Sequence, residues 1–349
     1  MDEKRTPVAL IGATGYVGAE LWRLLAGHPR VAVTAAVARK DVGRPLAEIY
    51  PHLAGRTDLV LEAFDADAIA HRARVAFLAL PHGTAAEVAK PLVERGLTVL
   101  DLSADFRLKD VAVYQRVYAK HPCPELLQRA VYGLVEHHRE QLGGARLVAV
   151  PGCYPTAVSL AAAPLLRAGI AKSERILAAC LSGVSGAGRE LKTPSLFCEA
   201  GEGACAYGAL AHRHQPEMEQ ELSFAAGRPA TLSFVPHLAP MSRGIHATVA
   251  LDLTPGSSAV EVEDAFREAA AASPFVEWLG LGRFPSTAWV RGSNRAMIGA
   301  AVDARLGRVV VTSVIDNLVK GAAGQAVQCL NVTQGWPETW GLEGGAVFP

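Results

Sequence analysis

Cys153 is the residue best placed for covalent chemistry. It stands in Val150-Pro151-Gly152-Cys153-Tyr154-Pro155-Thr156, where an apolar run ends and a helix-like stretch, Thr156 to Leu166, begins. A sulfur close to a helix N-terminus meets the positive end of the helix dipole, which lowers a thiol pKa and supplies amide donors to a nearby oxyanion. A strand end followed by a helix start also puts it at the carboxyl edge of a sheet, where open α/β folds bind ligands. The cysteines at 123, 180, 198, 205 and 329 lack that setting and read as small buried hydrophobes.

A thiolate nucleophile needs a group that moves protons. Between Tyr207 and Glu217 the chain gathers His212, Arg213, His214 and Glu217, two imidazoles with a guanidinium and a carboxylate. An imidazole near its natural pKa serves as acid and base. Such a cluster alone is more often a surface turn; its value comes from the need that Cys153 creates, and the sequence does not choose between His212 and His214. Arg107, in Asp101-Leu-Ser-Ala-Asp105-Phe-Arg107, has the planar fork that grips a phosphate or carboxylate. A salt bridge to Asp105 or Asp110 is its equal alternative. Ser182-Gly-Val-Ser185-Gly186-Ala-Gly188 offers hydroxyls and amides to an anion, or is only a tight loop.

The second chemical feature is a glycine turn. Val8 to Ile11 is β-prone and ends in Gly12-Ala-Thr14-Gly15-Tyr16-Val17-Gly18, after which Val17, Leu21, Leu24 and Leu25 recur at helical spacing. Strand, glycine turn and helix let backbone amides approach a pyrophosphate at the positive helix end. An NAD-binding fold carries an acid about 20 residues beyond the glycines, where this chain has Ala38-Arg39-Lys40. A basic pair there favours a 2′-phosphate, so NADP(H) is expected, although lone basic residues also simply solvate loops. A thiolate and a nicotinamide in one chain point to an aldehyde and thioester couple. The short-chain dehydrogenases share the turn but need a Tyr with Lys four residues later, and no tyrosine here has that partner.

The surrounding elements must position these groups. In the first 150 residues β-prone runs at Val31 to Val37, Val75 to Leu80, Leu97 to Leu102 and Leu147 to Val150 alternate with helical patterns such as Thr84 to Arg95, which predicts a doubly wound parallel sheet. Beyond Pro151, runs at Ile176 to Leu181, Thr231 to Val235, His246 to Leu253 and Arg308 to Ile315 have long, mostly non-helical connections and predict a mixed or antiparallel sheet. Asp316 to Asn331 reads as a helix with Leu318, Val319, Ala322, Ala326 and Leu330 on its apolar stripe, packing back on the first domain. The expected division is 1–152 with 316–349 for the cofactor domain and 153–315 for the catalytic one.

Global properties narrow the field. The 349 residues carry 34 Lys and Arg against 34 Asp and Glu, which argues against a nucleic-acid surface recruited by bulk charge. The first apolar run is too short for a membrane span and no cleavage pattern follows it, so a cytoplasmic enzyme with no membrane partner is expected. Six cysteines without a Cys-x-x-Cys pair do not form a disulfide framework, and no spacing suggests a metal site.

Together these residues resemble the N-acetyl-γ-glutamyl-phosphate reductase family, of the aspartate-semialdehyde dehydrogenase type. The likeness extends along nearly the whole chain, through the turn at 12–18, Leu-Pro-His-Gly at 80–83, Asp-Leu-Ser-Ala-Asp-Phe-Arg-Leu at 101–108, Pro-Gly-Cys-Tyr-Pro-Thr at 151–156, Ser-Gly-Val-Ser-Gly-Ala-Gly at 182–188, His-Arg-His at 212–214, Pro-His-Leu-Ala-Pro-Met-Ser-Arg-Gly at 236–244 and Asp-Asn-Leu-Val-Lys-Gly-Ala-Ala-Gly-Gln-Ala at 316–326. The resemblance implies a Rossmann-type domain with a second α+β catalytic and dimerisation domain. It implies Cys153 as nucleophile, His212 or His214 as acid and base, and Glu217 as orienter. Arg107, Ser182, Ser185 and Arg213 would meet substrate; Gly12, Thr14, Gly15, Tyr16, Val17, Gly18, Arg39, Lys40, Ser185, Gly186 and Asn317 would meet NADP(H). Asn317 and Lys320 lie in a segment that in the family returns toward the nicotinamide, and a homodimer or homotetramer is implied. The rival within the family reduces a carrier-protein-linked aminoadipyl phosphate in lysine biosynthesis, and Tyr154 and Pro155 match the arginine branch instead. A chain that binds cofactor without chemistry, as a sensor module, is the rival of another class.

Overall fold

Short runs buried on both faces become central parallel strands, and this sequence supplies several. In the computed structural model, which describes residues 5–348, β1 (Thr6–Ile11), β2 (Val31–Val37), β3 (Leu61–Glu62), β4 (Val75–Leu78), β5 (Thr98–Asp101), β6 (Val131–Tyr132) and β7 (Leu147–Ala149) form one sheet in the order β3-β2-β1-β4-β5-β7-β6. Every pairing in it is parallel. The residues of β4 and β5 are all buried, as a sheet covered on both faces requires. β1 pairs with β2 on one side and β4 on the other, so the loop after β1 opens at the topological switch point.

The second sheet is less uniformly covered, with buried and more exposed positions alternating at 176–181. β8 (Ile176–Gly183), β9 (Cys205–Ala206), β10 (Leu232–Ala239), β11 (Ile245–Asp252), β12 (Val276–Leu281), β13 (Ala296–Asp303) and β14 (Arg308–Ile315) lie in the order β12-β13-β14-β11-β8-β10-β9. It is mixed: β8 with β10 and β12 with β13 are parallel, and the remaining pairs are antiparallel. β9, β12 and β13 are strands that periodicity did not announce. β12 holds Gly280 in the run Val-Glu-Trp-Leu-Gly-Leu, with every position only half-buried, so its pattern is too weak to read.

The chain forms two compact units, one running to Pro151 and taking in Ala322–Glu343, the other comprising Gly152–Gly321 and the chain from Gly344. Asp316–Gly321 and the last residues thus group with the second unit, where the sequence reading had placed them in the first. The expected helix from Asp316 also begins later. The Asp316 carboxylate accepts the amides of Leu318 and Val319, a π-helical turn occupies Val319–Ala323, and the α-helix is Gly324–Thr333. An aspartate satisfying its own following amides holds a turn rather than a helix interior.

All six cysteines are free thiols. Cys123, Cys180 and Cys329 are buried as expected, whereas Cys198 and Cys205 are exposed. Those two lie in a largely exposed stretch, residues 186–211, that contributes only short helical turns and the two-residue β9.

Candidate functional site

In the first unit the turn after β1 is shaped by steric necessity. Gly12 has φ +89°, and a Cβ on it would lie 2.2 Å from the Ala79 carbonyl oxygen. A Cβ on Gly18 would lie 2.5 Å from the Gly12 oxygen, so both positions are closed to side chains by the protein itself. Gly15 differs: its φ is −83°, and the nearest atom to an added Cβ is the Gly12 oxygen at 3.7 Å. No protein atom requires glycine there, which leaves a cradle that a ligand's approach explains. Gly15 also precedes the helix Tyr16–Ala26, whose N-terminus has neither a capping side chain nor an acidic residue in its first turn. That is the donor arrangement a pyrophosphate fits. Thr14 and Val17 are half-buried and Tyr16 exposed, while Arg39 and Lys40 are exposed just beyond β2, the neighbour of β1. The residues present therefore fit a dinucleotide with extra negative charge on its ribose.

Arg107 sits at the carboxyl ends of β5 and β7, as its sequence position suggested, but in a different environment. It is 5% exposed, and its guanidinium donates from Nε to the Val150 carbonyl at 2.7 Å and from Nη2 to the Leu102 carbonyl at 2.8 Å. Any anion reaching it shares the fork with two strand-end carbonyls. Asp105 and Asp110, the carboxylates the sequence offered it, also satisfy other donors. Asp105 accepts from the amides of Gly83 and Ala86, at the start of the helix Thr84–Glu94, and from the Tyr114 hydroxyl. Asp110 caps the helix Val111–Val117. Behind them Asp101, fully buried and holding the amide and hydroxyl of Ser103, is pushed up to about 7, first by burial and then by Asp105.

In the second unit Cys153 opens a 15-residue helix, Cys153–Arg167, with Gly152 as its N-cap and no side chain capping it. The sulfur-bearing residue is half-buried. The helix starts three residues earlier than the sequence pattern suggested, which puts Cys153 itself in the first turn. The Gly152 amide donates to Glu217 Oε1 at 2.8 Å, and Glu217 is 1% exposed. Glu217 lies in the first turn of the helix Gln215–Ala226, whose N-cap is His214. On the other side, Gly321 leaves no room for a side chain: a Cβ there would come within 2.7 Å of the Cys153 Cβ.

The two histidines meet here, at 4.9 Å between ring centroids. They are not equivalent. His214 donates its backbone N–H to His212 Nδ1 at 3.1 Å, so that nitrogen must keep its lone pair. His212 is packed against Tyr154, Tyr207 and Phe234, and burial followed by the neighbouring Arg213 charge pushes it down to about 4. At neutral pH it is an uncharged ring with its proton on Nε2, while Arg213 itself is exposed.

Sequence reasoning missed the hydroxyl pair beside these rings. Tyr154, 2% exposed, shares a 2.8 Å hydrogen bond with the Tyr207 hydroxyl, and burial then Tyr207 hold its phenol far above the usual tyrosine range. The signal was available only as two tyrosines flanking the cysteine and histidine motifs. A second group surrounds the turn after β8. Asn317 donates from Nδ2 to Ser185 Oγ at 3.0 Å and accepts the Gly244 amide on Oδ1 at 2.7 Å. Ser182 is buried with its hydroxyl on the Gly183 carbonyl, and Gly186 is exposed nearby. Arg243 reaches the buried Asp316 at 3.4 Å, and Asp316 also accepts the Gly292 amide at 2.7 Å. The expected roles of Asn317 and Lys320 thus meet a buried setting: Asn317 spans Ser185 and Gly244, and Lys320 is fully buried with its ammonium 5.7 Å from the Phe275 ring centroid.

Comparison with known proteins agrees with this layout. Residues 7–145 match the family model "Semialdehyde dehydrogenase, NAD binding domain", and residues 153–317 match "Semialdehyde dehydrogenase, dimerisation domain". N-acetyl-gamma-glutamyl-phosphate reductases of Geobacter metallireducens and Pelobacter propionicus are 51% and 50% identical over 343 residues, 98% of this chain and 99% of each relative. Among solved structures, aspartate semialdehyde dehydrogenase II of Vibrio cholerae, complexed with ASA, superposes with a TM-score of 0.73 at 18% identity, covering 95% of this chain and 98% of that one. The Candida albicans aspartate semialdehyde dehydrogenase with NADP gives 0.66 at 18% identity, covering 94% and 98%. At those identities the structural likeness speaks for the fold. No helix among the described residues is long and apolar enough to cross a membrane.

Proposed function

The chain belongs to the N-acetyl-gamma-glutamyl-phosphate reductase family, and from that premise we propose that it converts N-acetyl-L-glutamyl 5-phosphate to N-acetyl-L-glutamate 5-semialdehyde and phosphate with NADPH, in arginine biosynthesis. The observation that carries the reading is Cys153 at the first position of an uncapped helix, its N-cap amide fixed by Glu217 and its neighbouring helix opened by His214.

The chemistry then follows from the residues. A helix N-terminus favours the anionic sulfur, which attacks the acyl carbon while the carbon–oxygen bond to phosphate breaks and the leaving phosphate takes the electron pair, so that a thioester forms on Sγ. Bound NADPH supplies the hydride that reduces such a thioester. His214 takes the role of acid and base. It removes the thiol proton before attack and returns it to sulfur as the tetrahedral oxyanion collapses and the aldehyde departs. His212, uncharged and accepting the His214 amide, holds that residue in place rather than carrying the proton. Ser185 and Arg213 offer donors for the substrate's anionic groups, Ser182 having its hydroxyl on the Gly183 carbonyl instead, and Arg39 with Lys40 supports NADPH over NADH.

A homo-oligomer, dimer or tetramer, in the cytoplasm belongs to the same proposal. Leu177 and Leu181 on β8 are 42% and 38% exposed, which supports association through the second sheet.

The test is an assay of NADP⁺ reduction with N-acetylglutamate semialdehyde plus phosphate, beside aspartate semialdehyde. Cys153→Ala and Cys153→Ser are expected to abolish turnover. A variant retaining a tenth of the wild-type rate rules out covalent catalysis, and comparable or greater rates on aspartate semialdehyde overturn the substrate choice.

A further inference from the structure

Tyr50 had no role in the sequence reading, yet its hydroxyl lies 2.7 Å from the Thr14 carbonyl oxygen and 3.0 Å from that of Gly15. The ring is 8% exposed. A phenol has a single hydrogen, so the two carbonyls share it and face the Tyr50 side of the turn, the Gly15 oxygen also accepting the first helical bond from the Ala19 amide at 3.0 Å. In a trans peptide the C=O and the following N–H point in opposite directions. Fixing the Thr14 and Gly15 oxygens therefore aims the N–H groups of Gly15 and Tyr16 away from Tyr50. The Gly15 amide reaches only the Gly12 oxygen, at 3.3 Å, and Tyr16 opens the uncapped helix.

Tyr50 is itself anchored to the segment that carries the basic pair. Its amide donates to the Leu46 carbonyl, the Leu46 amide to Leu59, and the Gly43 amide to Leu61, while the Leu61 amide returns to Arg44. Asp41, with φ +64°, holds Arg44 at 2.7 Å, so the stretch just after Arg39 and Lys40 has one defined shape. One side chain thus joins the loop suited to a 2′-phosphate to the turn suited to a pyrophosphate.

We propose that Tyr50 is a positioning residue for the dinucleotide, orienting the peptide groups of the 14–16 turn toward the pyrophosphate; this rests on the cofactor reading above. The experiment titrates wild type and Tyr50→Phe with NADP⁺ and with adenosine 2′-monophosphate, which lacks a pyrophosphate, by calorimetry. Phe keeps the ring and its contact with His52, 5.8 Å between centroids, and a thermal melt checks folding. The expected result is a roughly fivefold weaker NADP⁺ Kd, the value of one hydrogen bond of about 1 kcal/mol, with adenosine 2′-monophosphate unchanged within about twofold. The KM for NADPH rises by the same factor, while kcat and the KM for the acyl phosphate hold. Equal NADP⁺ affinity in the two chains, or parallel weakening of both ligands and both KM values, overturns the inference alone. Wild type that fails to bind NADP⁺ overturns the cofactor reading with it.

Discussion

The Gly152 amide and the Glu217 carboxylate, 65 residues apart in sequence, meet at 2.8 Å and tie the N-cap of the helix Cys153–Arg167 to the first turn of the helix Gln215–Ala226. Both partners are buried, so the bond is protected from water and its loss is expensive. Glu217→Ala leaves a buried N–H without its acceptor and is expected to cost about 1–3 kcal/mol of stability. Glu217→Gln keeps an oxygen in the same place and is expected to lose less than half of that. Chemical denaturation of the two variants checks the order; equal losses would show that the carboxylate charge, and not the acceptor, matters.

The two histidines separate by the same reasoning. His214→Asn removes the group assigned to proton transfer, and its kcat is expected to fall by about 10²–10⁴-fold. His212→Asn puts an amide oxygen where Nδ1 accepts the His214 N–H, preserving the one bond shown for that ring. It is expected to keep kcat within about tenfold. A pH–rate profile completes the comparison, because the limb that reports the proton-transferring imidazole should survive in His212→Asn and vanish in His214→Asn. The reverse pattern would exchange the roles.

Those roles mark how far the sequence could be read. Strand, glycine turn and helix are local signals, so Gly12, Gly15 and Gly18 were visible, and the cysteine at a strand-to-helix junction was visible for the same reason. What stayed hidden depends on contacts across the chain. Tyr50 reaches back to Thr14 over 36 residues, and Asn317 reaches Ser185 over 132, with no period or spacing to announce either. That the His214 N–H donates to His212 Nδ1, the contact that makes the two rings inequivalent, was equally out of reach. Arg107 was legible only as an even choice between an anion grip and a salt bridge, and its bonds to the Val150 and Leu102 carbonyls are invisible in a linear pattern. The exposure of Cys198 and Cys205 was missed because burial is the usual fate of a free cysteine.

Two buried groups give stability opposite dependences on pH. His212 is lowered to about 4 in the fold from an ordinary 6.5, so the unfolded chain takes up the extra proton between those values. Its contribution is present above pH 6.5 and is lost as pH falls toward 4. His28 and His246 are lowered too, first by burial, and act in the same direction. Asp101 is raised to about 7 from 3.8, so its contribution is present below pH 3.8 and is lost as pH rises through 7. Melting temperatures from pH 4 to 8.5 check both. His212→Asn is expected to flatten the fall on the acid side, and Asp101→Asn to gain most relative to wild type at pH 8 and above. An Asp101→Asn gain that is the same at pH 5 and pH 8.5 would remove the ionisation argument.

The glycine turn separates folding from binding at two positions three residues apart. Gly12 combines φ +89° with an Ala79 oxygen 2.2 Å from where a Cβ would sit, so Gly12→Ala forces the end of β1 away from the segment after β4. Strain and overpacking together are expected to cost several kcal/mol, on the order of 2–4. Gly15 has an ordinary φ and no protein atom nearer than 3.7 Å to the added carbon. Gly15→Ala is therefore expected to melt within about 2 °C of wild type while its NADPH affinity falls by about tenfold or more, since the methyl group fills the cradle. Thermal melts and a fluorescence titration of NADPH distinguish the two effects. If Gly15→Ala binds NADPH as wild type does, the open face of this turn is not where the pyrophosphate rests, and the helix Tyr16–Ala26 loses its assigned role at the cofactor.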